Sequence, residues 1–264
     1  MTEEYKKYYE LIMKILQLPD KKRKLINSLG LKKQRDKNRL FLAEGEKCCD
    51  ELLNSKYRTA FLVISDSFSK IKTYQRIADA KNIQIYQTDT RTFGKISDTK
   101  TPQGIMGIAS IHDNNINPQS NFVFLESISD PGNLGTIIRT CDWFGIENIL
   151  LSQDSIDCYN PKVVRSAMGS LFRRNLIYNN DIHSLTTEYF PGIATYAADI
   201  RSELSLKEID PPKRFGLMFG SESSGLSDDL IAISKYSYKI KGKGGAESLN
   251  LAISVAISLY HFVL

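Results

Sequence analysis

Short apolar runs alternate along this chain with longer stretches in which apolar residues recur every three or four positions. The first kind fits β-strands and the second fits amphipathic helices. Glu3 to Leu18 has the helical spacing and stops at Pro19. Phe41-Leu-Ala, Ala60-Phe-Leu-Val-Ile-Ser, Ile83-Gln-Ile-Tyr and Ile105-Met-Gly-Ile-Ala read as strands. Helices are expected over Glu46 to Leu53 and near Ile71 to Ala80. A polar stretch, His112 to Asn121, carries one proline and reads as a linker. A second series then begins with strands at Phe122-Val-Phe-Leu, Asn148-Ile-Leu-Leu, Leu176-Ile-Tyr, Gly192-Ile-Ala-Thr-Tyr-Ala, Gly216-Leu-Met-Phe and Tyr236-Ser-Tyr-Lys-Ile. Helices are expected from the Asp130 loop through Phe144 and over Val163 to Phe172. Strands alternating with helices predict an α/β fold in two units: a helical extension over 1–19, a small α/β domain over 20–111, a linker over 112–121, and a larger domain with a mostly parallel sheet over 122–264.

The last quarter carries the densest punctuation. Phe215-Gly-Leu-Met-Phe-Gly220-Ser-Glu222-Ser-Ser-Gly225 is an apolar run that stops in a glycine-rich polar loop. Ile240-Lys-Gly-Lys-Gly244-Gly-Ala-Glu-Ser248-Leu-Asn250 is a second such loop and leads into a helix. Glycines in tight turns account for either loop alone. Together they fit a pocket at the carboxyl edge of a parallel sheet, where backbone groups approach a ligand closely. Ser248 is a candidate N-cap of the last helix, with Ala252, Ile253, Val255 and Ala256 on its buried face. The loops match neither a dinucleotide fingerprint, because Glu247 stands at the last glycine position, nor a P-loop, which needs Gly-Lys-Ser/Thr.

Composition adds little until charge is mapped. Hydrophobic residues are 42% and charged residues 25% of 264, as in ordinary globular proteins. No apolar stretch has the length of a membrane span, and the N-terminus lacks the plan of a signal peptide. The cysteines, Cys48, Cys49, Cys141 and Cys158, have no zinc spacing and read as reduced cytoplasmic thiols. His112, His183 and His261 fall in unrelated contexts, and no metal site is expected. The net charge is only +5, but Lys21 to Arg39 holds nine cations against Asp36. That density fits a polyanion-binding surface, nucleic acid above all, or a solvated helix face.

Two further strand exits carry candidate chemistry. Asp130-Pro-Gly-Asn133-Leu-Gly-Thr-Ile-Ile-Arg139 puts Asn133 in a loop and Arg139 about two turns into the following helix. An arginine there is a surface residue or a holder of phosphate or carboxylate. Asn160-Pro-Lys162-Val-Val-Arg165 sets two cations at a helix start, which itself offers free N–H groups to an anion.

Asn133-x-Gly135 with Arg139, then Gly220-x-Glu222-x-x-Gly225-Leu, then Ile240-x-x-x-Gly244-x-x-x-Ser248-Leu-Asn250, resembles the three ordered motifs of the SpoU-type RNA 2′-O-ribose methyltransferases of the SPOUT superfamily. Ser28-Leu-x-x-Lys32-Lys33-x-Arg35, Phe41-x-x-Glu44-Gly and Thr101-Pro-Gln-Gly are similar to that family's N-terminal L30e-like RNA-binding domain. Where the family usually has Pro-Met after the isoleucine of the third motif, this chain has Lys241-Gly242. The resemblance implies a C-terminal deep trefoil knot, S-adenosylmethionine as cofactor, and a homodimer through the knotted domain. It assigns Gly220, Ile240, Leu249, Phe219 and Gly244 to the cofactor. It assigns Arg139, Asn133, Glu222, Ser248 and Asn250 to the reaction site, and Lys32, Lys33, Arg35, Lys162 and Arg165 to RNA. The expected reaction is methyl transfer to a ribose 2′-hydroxyl, with ribosomal RNA favoured. A transfer-RNA ribose, an RNA base, and an inactive RNA-binding homologue are the alternatives.

Overall fold

The computed structural model describes residues 15–179 and 181–264. The first of two compact units gathers the chain up to His112 together with Tyr159–Phe172; the second holds Asp113–Cys158 and Arg173–Leu264.

The first unit is built on five strands in the order β1-β4-β3-β5-β2. These are β1 Ile15–Gln17, β2 Leu40–Glu44, β3 Thr59–Ser65, β4 Ile85–Thr88 and β5 Ile105–Ser110. β4 pairs in parallel with both β1 and β3, whereas β5 is antiparallel to both β2 and β3. Helices α1 Asp20–Ser28, α2 Lys32–Asn38, α3 Glu46–Leu53, α4 Ile71–Ala80 and α5 Thr90–Ile96 cover the sheet. Alternate residues of β3 enter different cores: Phe61 and Val63 pack with Ile26, Phe93 and Met106, while Leu62 and Ile64 pack with Leu53, Tyr74 and Ile105. A strand covered on both faces reads as an unbroken apolar run, which is what made β3 legible.

Several expectations need correction here. The helix expected over Glu3 to Leu18 falls largely outside the described residues, and its end, Ile15–Gln17, is a strand paired with β4. The basic run read as a polyanion surface or a helix face is helical, in α1 and α2, and α2 contains no apolar residue to reveal its bounds. The helix expected over Val163 to Phe172 is broken into two pieces: a helix over Pro161–Ser166, then a 3-10 turn over Ser170–Arg173. Met168 and Gly169 between them both adopt positive φ, which an α-helix does not tolerate.

The stretch Tyr159–Phe172 belongs to the first unit because of what it packs against. The Tyr159 ring lies 4.6 Å from that of Phe41, and Phe172 packs edge-on to Tyr57 at 5.3 Å. A Cβ on Gly169 would fall 2.3 Å from Glu51 Cγ, so the chain descends onto α3 there.

The second unit has six strands, all parallel, in the order β11-β9-β10-β6-β7-β8. They are β6 Phe122–Leu125, β7 Asn148–Leu151, β8 Asn175–Tyr178, β9 Ala194–Ala198, β10 Phe215–Phe219 and β11 Tyr236–Tyr238. Helix α6 is Pro131–Trp143 and α7 is the Pro161–Ser166 helix of the first unit; α8 Ile182–Tyr189, α9 Asp228–Ile233 and α10 Leu251–Val263 complete the set. The polar segment read as a linker is fixed to this unit: Asn148 Nδ2 donates to Asn117 O at 2.8 Å, and Phe215 N donates to Asn121 Oδ1 at 3.0 Å. Reorders of strand sequence put the exits of β6 and β10, distant in the chain, side by side at one sheet edge.

Candidate active site

The site begins where β6 leaves the sheet. Asp130 caps α6, its carboxylate accepting from Asn133 N at 2.7 Å, and Pro131 occupies the first turn, where its missing N–H costs nothing. This cap fixes the backbone of Asn133. Leu134, Ile137, Ile138 and Cys141 form the buried face of α6, and Arg139 points to solvent from the opposite face.

Three segments then meet through side chains. Asn133 Nδ2 donates to Glu222 Oε1, and Asn250 Nδ2 donates to Asn133 Oδ1 at 3.0 Å. The order Glu222–Asn133–Asn250 uses both arms of the Asn133 amide, one as donor and one as acceptor. It ties the loop after β10 to the loop before α10. Asn250 is itself held, because it is the N-cap of α10 and its Oδ1 accepts from Ala252 N at 2.9 Å and Ile253 N at 3.3 Å. Ser248, expected at that cap, instead lies exposed in the preceding loop. Asparagine takes the role because its carbonyl oxygen caps while its amide remains free to reach Asn133.

The loop after β10 is tight. A Cβ on Gly220 would sit 1.9 Å from the carbonyl carbon of Gly225, so no other residue fits at that crossing. Gly225 N donates back to Ser221 O at 3.0 Å, with Gly225 at φ +68°. Glu126, just beyond β6, accepts from Ser227 N at 2.8 Å and pins the far end of this loop. Neither Glu126 nor Asp130 was singled out from the sequence. Asp130-Pro131 has a readable capping signature, whereas Glu126 carries no local signal.

Of the residues assigned to the cofactor, Phe219 and Gly220 are buried, Ile240 is half-buried, and Gly244 and Leu249 are exposed. Among the described residues, the main chain from 240 to 249 makes no backbone–backbone hydrogen bond. Its N–H and C=O groups are open to a ligand, next in sequence to an exposed apolar Leu249. Open backbone donors and acceptors with an apolar surface fit a nucleoside-bearing cofactor.

The cations divide. Lys32, Lys33 and Lys162 are exposed. Arg165 donates Nη1 to Asp98 Oδ2 at 2.8 Å. Arg35, expected at an RNA surface, is only 2% exposed, and its Nη1 donates to Leu29 O at 2.8 Å and Gly30 O at 2.9 Å. It closes the carboxyl end of α1 and is a structural residue, because a guanidinium buried on backbone carbonyls has no face left for phosphate.

Thiol chemistry is absent from the site. All four cysteines are buried, and burial pushes Cys48 up to about 11 and raises Cys49 and Cys141 too, which disfavours the nucleophilic thiolate. Among the described residues no group of three or more His, Cys, Asp or Glu is placed to hold a metal ion.

Sequence and fold comparisons give the family. The model of the SpoU rRNA Methylase family matches residues 120–260, and that of the MRM3-like substrate binding domain matches 20–107. The chain belongs to the SpoU rRNA methylase family. RlmP of Bacillus subtilis, a 23S rRNA (guanosine(2553)-2′-O)-methyltransferase, is 29% identical over 236 residues, covering 88% of this chain and 92% of its own. The AdoMet-bound rRNA methyltransferase of Sinorhizobium meliloti superposes with a TM-score of 0.84 at 29% identity, over 94% of this chain and 95% of that one. A TrmH-family RNA methyltransferase from Porphyromonas gingivalis does so at 0.80 and 30% identity, over 93% and 98%. The three segments that resemble the family's ordered motifs are the ones that the Glu222–Asn133–Asn250 bonds draw together.

Proposed function

We propose that the chain transfers a methyl group from S-adenosylmethionine to a ribose 2′-hydroxyl of RNA, with ribosomal RNA as the substrate class. The observation that carries this reading is the side-chain relay from Glu222 through Asn133 to Asn250, which joins two ligand-accessible loops at one sheet edge. The RNA specificity draws on family membership and on the relatives that act on ribosomal RNA.

The loops after β10 and before α10 would hold the cofactor, through Gly220, Ile240, Gly244 and Leu249, and Phe219 backs them from the core. The bound cofactor supplies an activated methyl group on a sulfonium. The chain's own residues then have to orient the ribose and accommodate charge on the 2′ oxygen as its proton departs. Arg139 is the residue for that charge and for the adjoining phosphate. It stands exposed on α6, two turns from Asn133, and its five donors form a fork suited to phosphate oxygens. Glu222, Asn133 and Asn250, with Ser248 beside them, fix the loop geometry around the hydroxyl. Lys32, Lys33, Lys162 and Arg165 would contact the RNA.

The knot implied by the resemblance belongs to the same reading. The parallel six-stranded sheet and the return of the last loop to Asn133, through Asn250, support it. A homodimer through α10 is supported by a stripe of exposed apolar side chains, Ile253, Ile257, Tyr260 and Leu264, one or two turns apart on one face. No helix among the described residues is long and apolar enough to cross a membrane, and a cytoplasmic location fits an RNA substrate.

Isothermal calorimetry with S-adenosylmethionine, followed by mapping of 2′-O-methylation in RNA from cells lacking the protein, tests the reading. Binding together with loss of one ribose methylation is expected. No cofactor binding at millimolar concentration would remove it.

A further inference from the structure

The first unit carries a cleft that the methyl-transfer site does not use. Its volume is about 220 Å³, and Gly45, Thr101, Gln103, Arg165 and Met168 are among its walls.

Its scaffold is rigid. Glu44, buried at the end of β2, accepts from Thr99 Oγ1 at 2.9 Å, from Asp98 N at 3.1 Å and from the Ser97 hydroxyl. Those bonds pin the 97–99 segment, and Asp98 in turn fixes the Arg165 guanidinium. On the other side, Gln103 Oε1 accepts from Glu46 N at 2.8 Å. Gly45, at φ +95°, makes room for it: a Cβ there would lie 2.9 Å from Gln103 Oε1. Gln103 is exposed, and with its oxygen committed to Glu46 N its amide nitrogen is left as the donor at the cleft mouth. Met168 supplies the apolar surface. It is 44% exposed at φ +51°, held outward by the descent of Gly169 onto α3. An exposed thioether in a left-handed conformation is unfavourable by itself and persists where the surroundings dictate it.

These parts match one class of ligand. A planar ring stacks on an apolar or guanidinium surface, and a fixed N–H donor reads an acceptor on the ring's edge. Each cation at the cleft already faces a carboxylate, Arg165 with Asp98 and Lys47 with Glu51, so the cleft is a poor phosphate site. We propose that it binds one unstacked nucleobase of the RNA substrate, with Met168 and Arg165 as the stacking surfaces and Gln103 Nε2 as the donor to the base edge. The proposal rests on the RNA methyltransferase reading and adds a recognition subsite to it.

Two variants separate recognition from folding. Gln103→Glu keeps an oxygen for Glu46 N and removes the donor. Met168→Gly removes the stacking surface and relieves the positive φ, so its Tm should not fall. The probe is an in vitro transcript of 23S ribosomal RNA around guanosine 2553, the nucleotide named for the Bacillus subtilis relative. Each variant should bind it about tenfold more weakly, the size expected for one lost base contact, with unchanged affinity for S-adenosylmethionine. In methyl- and amide-labelled protein, millimolar GMP or UMP should shift the Met168 methyl and Gln103 side-chain signals. Variants that bind as wild type does, or nucleotide shifts confined to the second unit, overturn the subsite alone when wild type still binds and methylates RNA. Wild type that binds no RNA overturns the subsite and the reading beneath it together.

Discussion

Asn250 donates its side-chain amide to Asn133 Oδ1 at 3.0 Å, although 117 positions separate them in the chain. Both ends of that bond are fixed by helix caps: Asn250 caps α10, and Asn133 N is held by the Asp130 cap of α6. A bond between two capped positions resists drift, which is what a positioning element needs. Asn133→Ala should therefore lower the single-turnover methylation rate by roughly 10²-fold, the cost of a small misplacement of reacting groups. Its Tm should change little, since the relay is solvent-facing. Wild-type rates in this variant would remove the relay from the mechanism.

Arg139→Ala should abolish methylation and leave cofactor affinity and fold intact. The apolar face of α6 is supplied by Leu134, Ile137, Ile138 and Cys141, so the exposed guanidinium contributes little to the core. Arg139→Lys retains the charge without the fork and should be strongly impaired as well. Rates on the RNA substrate, paired with calorimetry on S-adenosylmethionine, separate the two effects.

Arg35 and its neighbours should part company on mutation. Lys32→Gln with Lys33→Gln removes two exposed charges, so RNA affinity should fall and its dependence on salt should flatten by about two counterions. Arg35→Ala leaves two carbonyls without their donor in a buried setting, and should cost about 2–4 kcal/mol of stability. Thermal melts and salt-dependent binding curves check both. A stable Arg35→Ala protein with weakened RNA binding would reverse the assignment.

Ile257→Glu with Tyr260→Glu should yield a monomer in light scattering at micromolar concentration, with wild type a dimer. Tyr260 is 64% exposed and Ile257 shares its face, whereas Val255, Leu259 and Phe262 hold α10 to its own unit. Charges on the outer stripe therefore spare the core. Equal masses for variant and wild type would refute the interface.

The sequence by itself determined the elements whose residues answer to one environment. β3, β6 and β10 are buried on both sides, so their apolar runs were readable without partners. Asn133, Glu222 and Asn250 were named through the resemblance to the family's motifs, whose order and spacing are features of the chain itself. What only the tertiary structure decided depended on where distant segments meet. Arg35 looked like one more cation in a basic run until the carbonyls of Leu29 and Gly30 enclosed it. Ser248 read as the cap of the last helix, and only the fold put Asn250 there, its side-chain oxygen accepting from Ala252 N and Ile253 N. α2 has no apolar period, and Tyr159–Phe172 packs on Phe41, Tyr57 and α3 across more than a hundred residues of sequence. A side chain's role is set by its neighbours in space, and a one-dimensional pattern records only its neighbours along the chain.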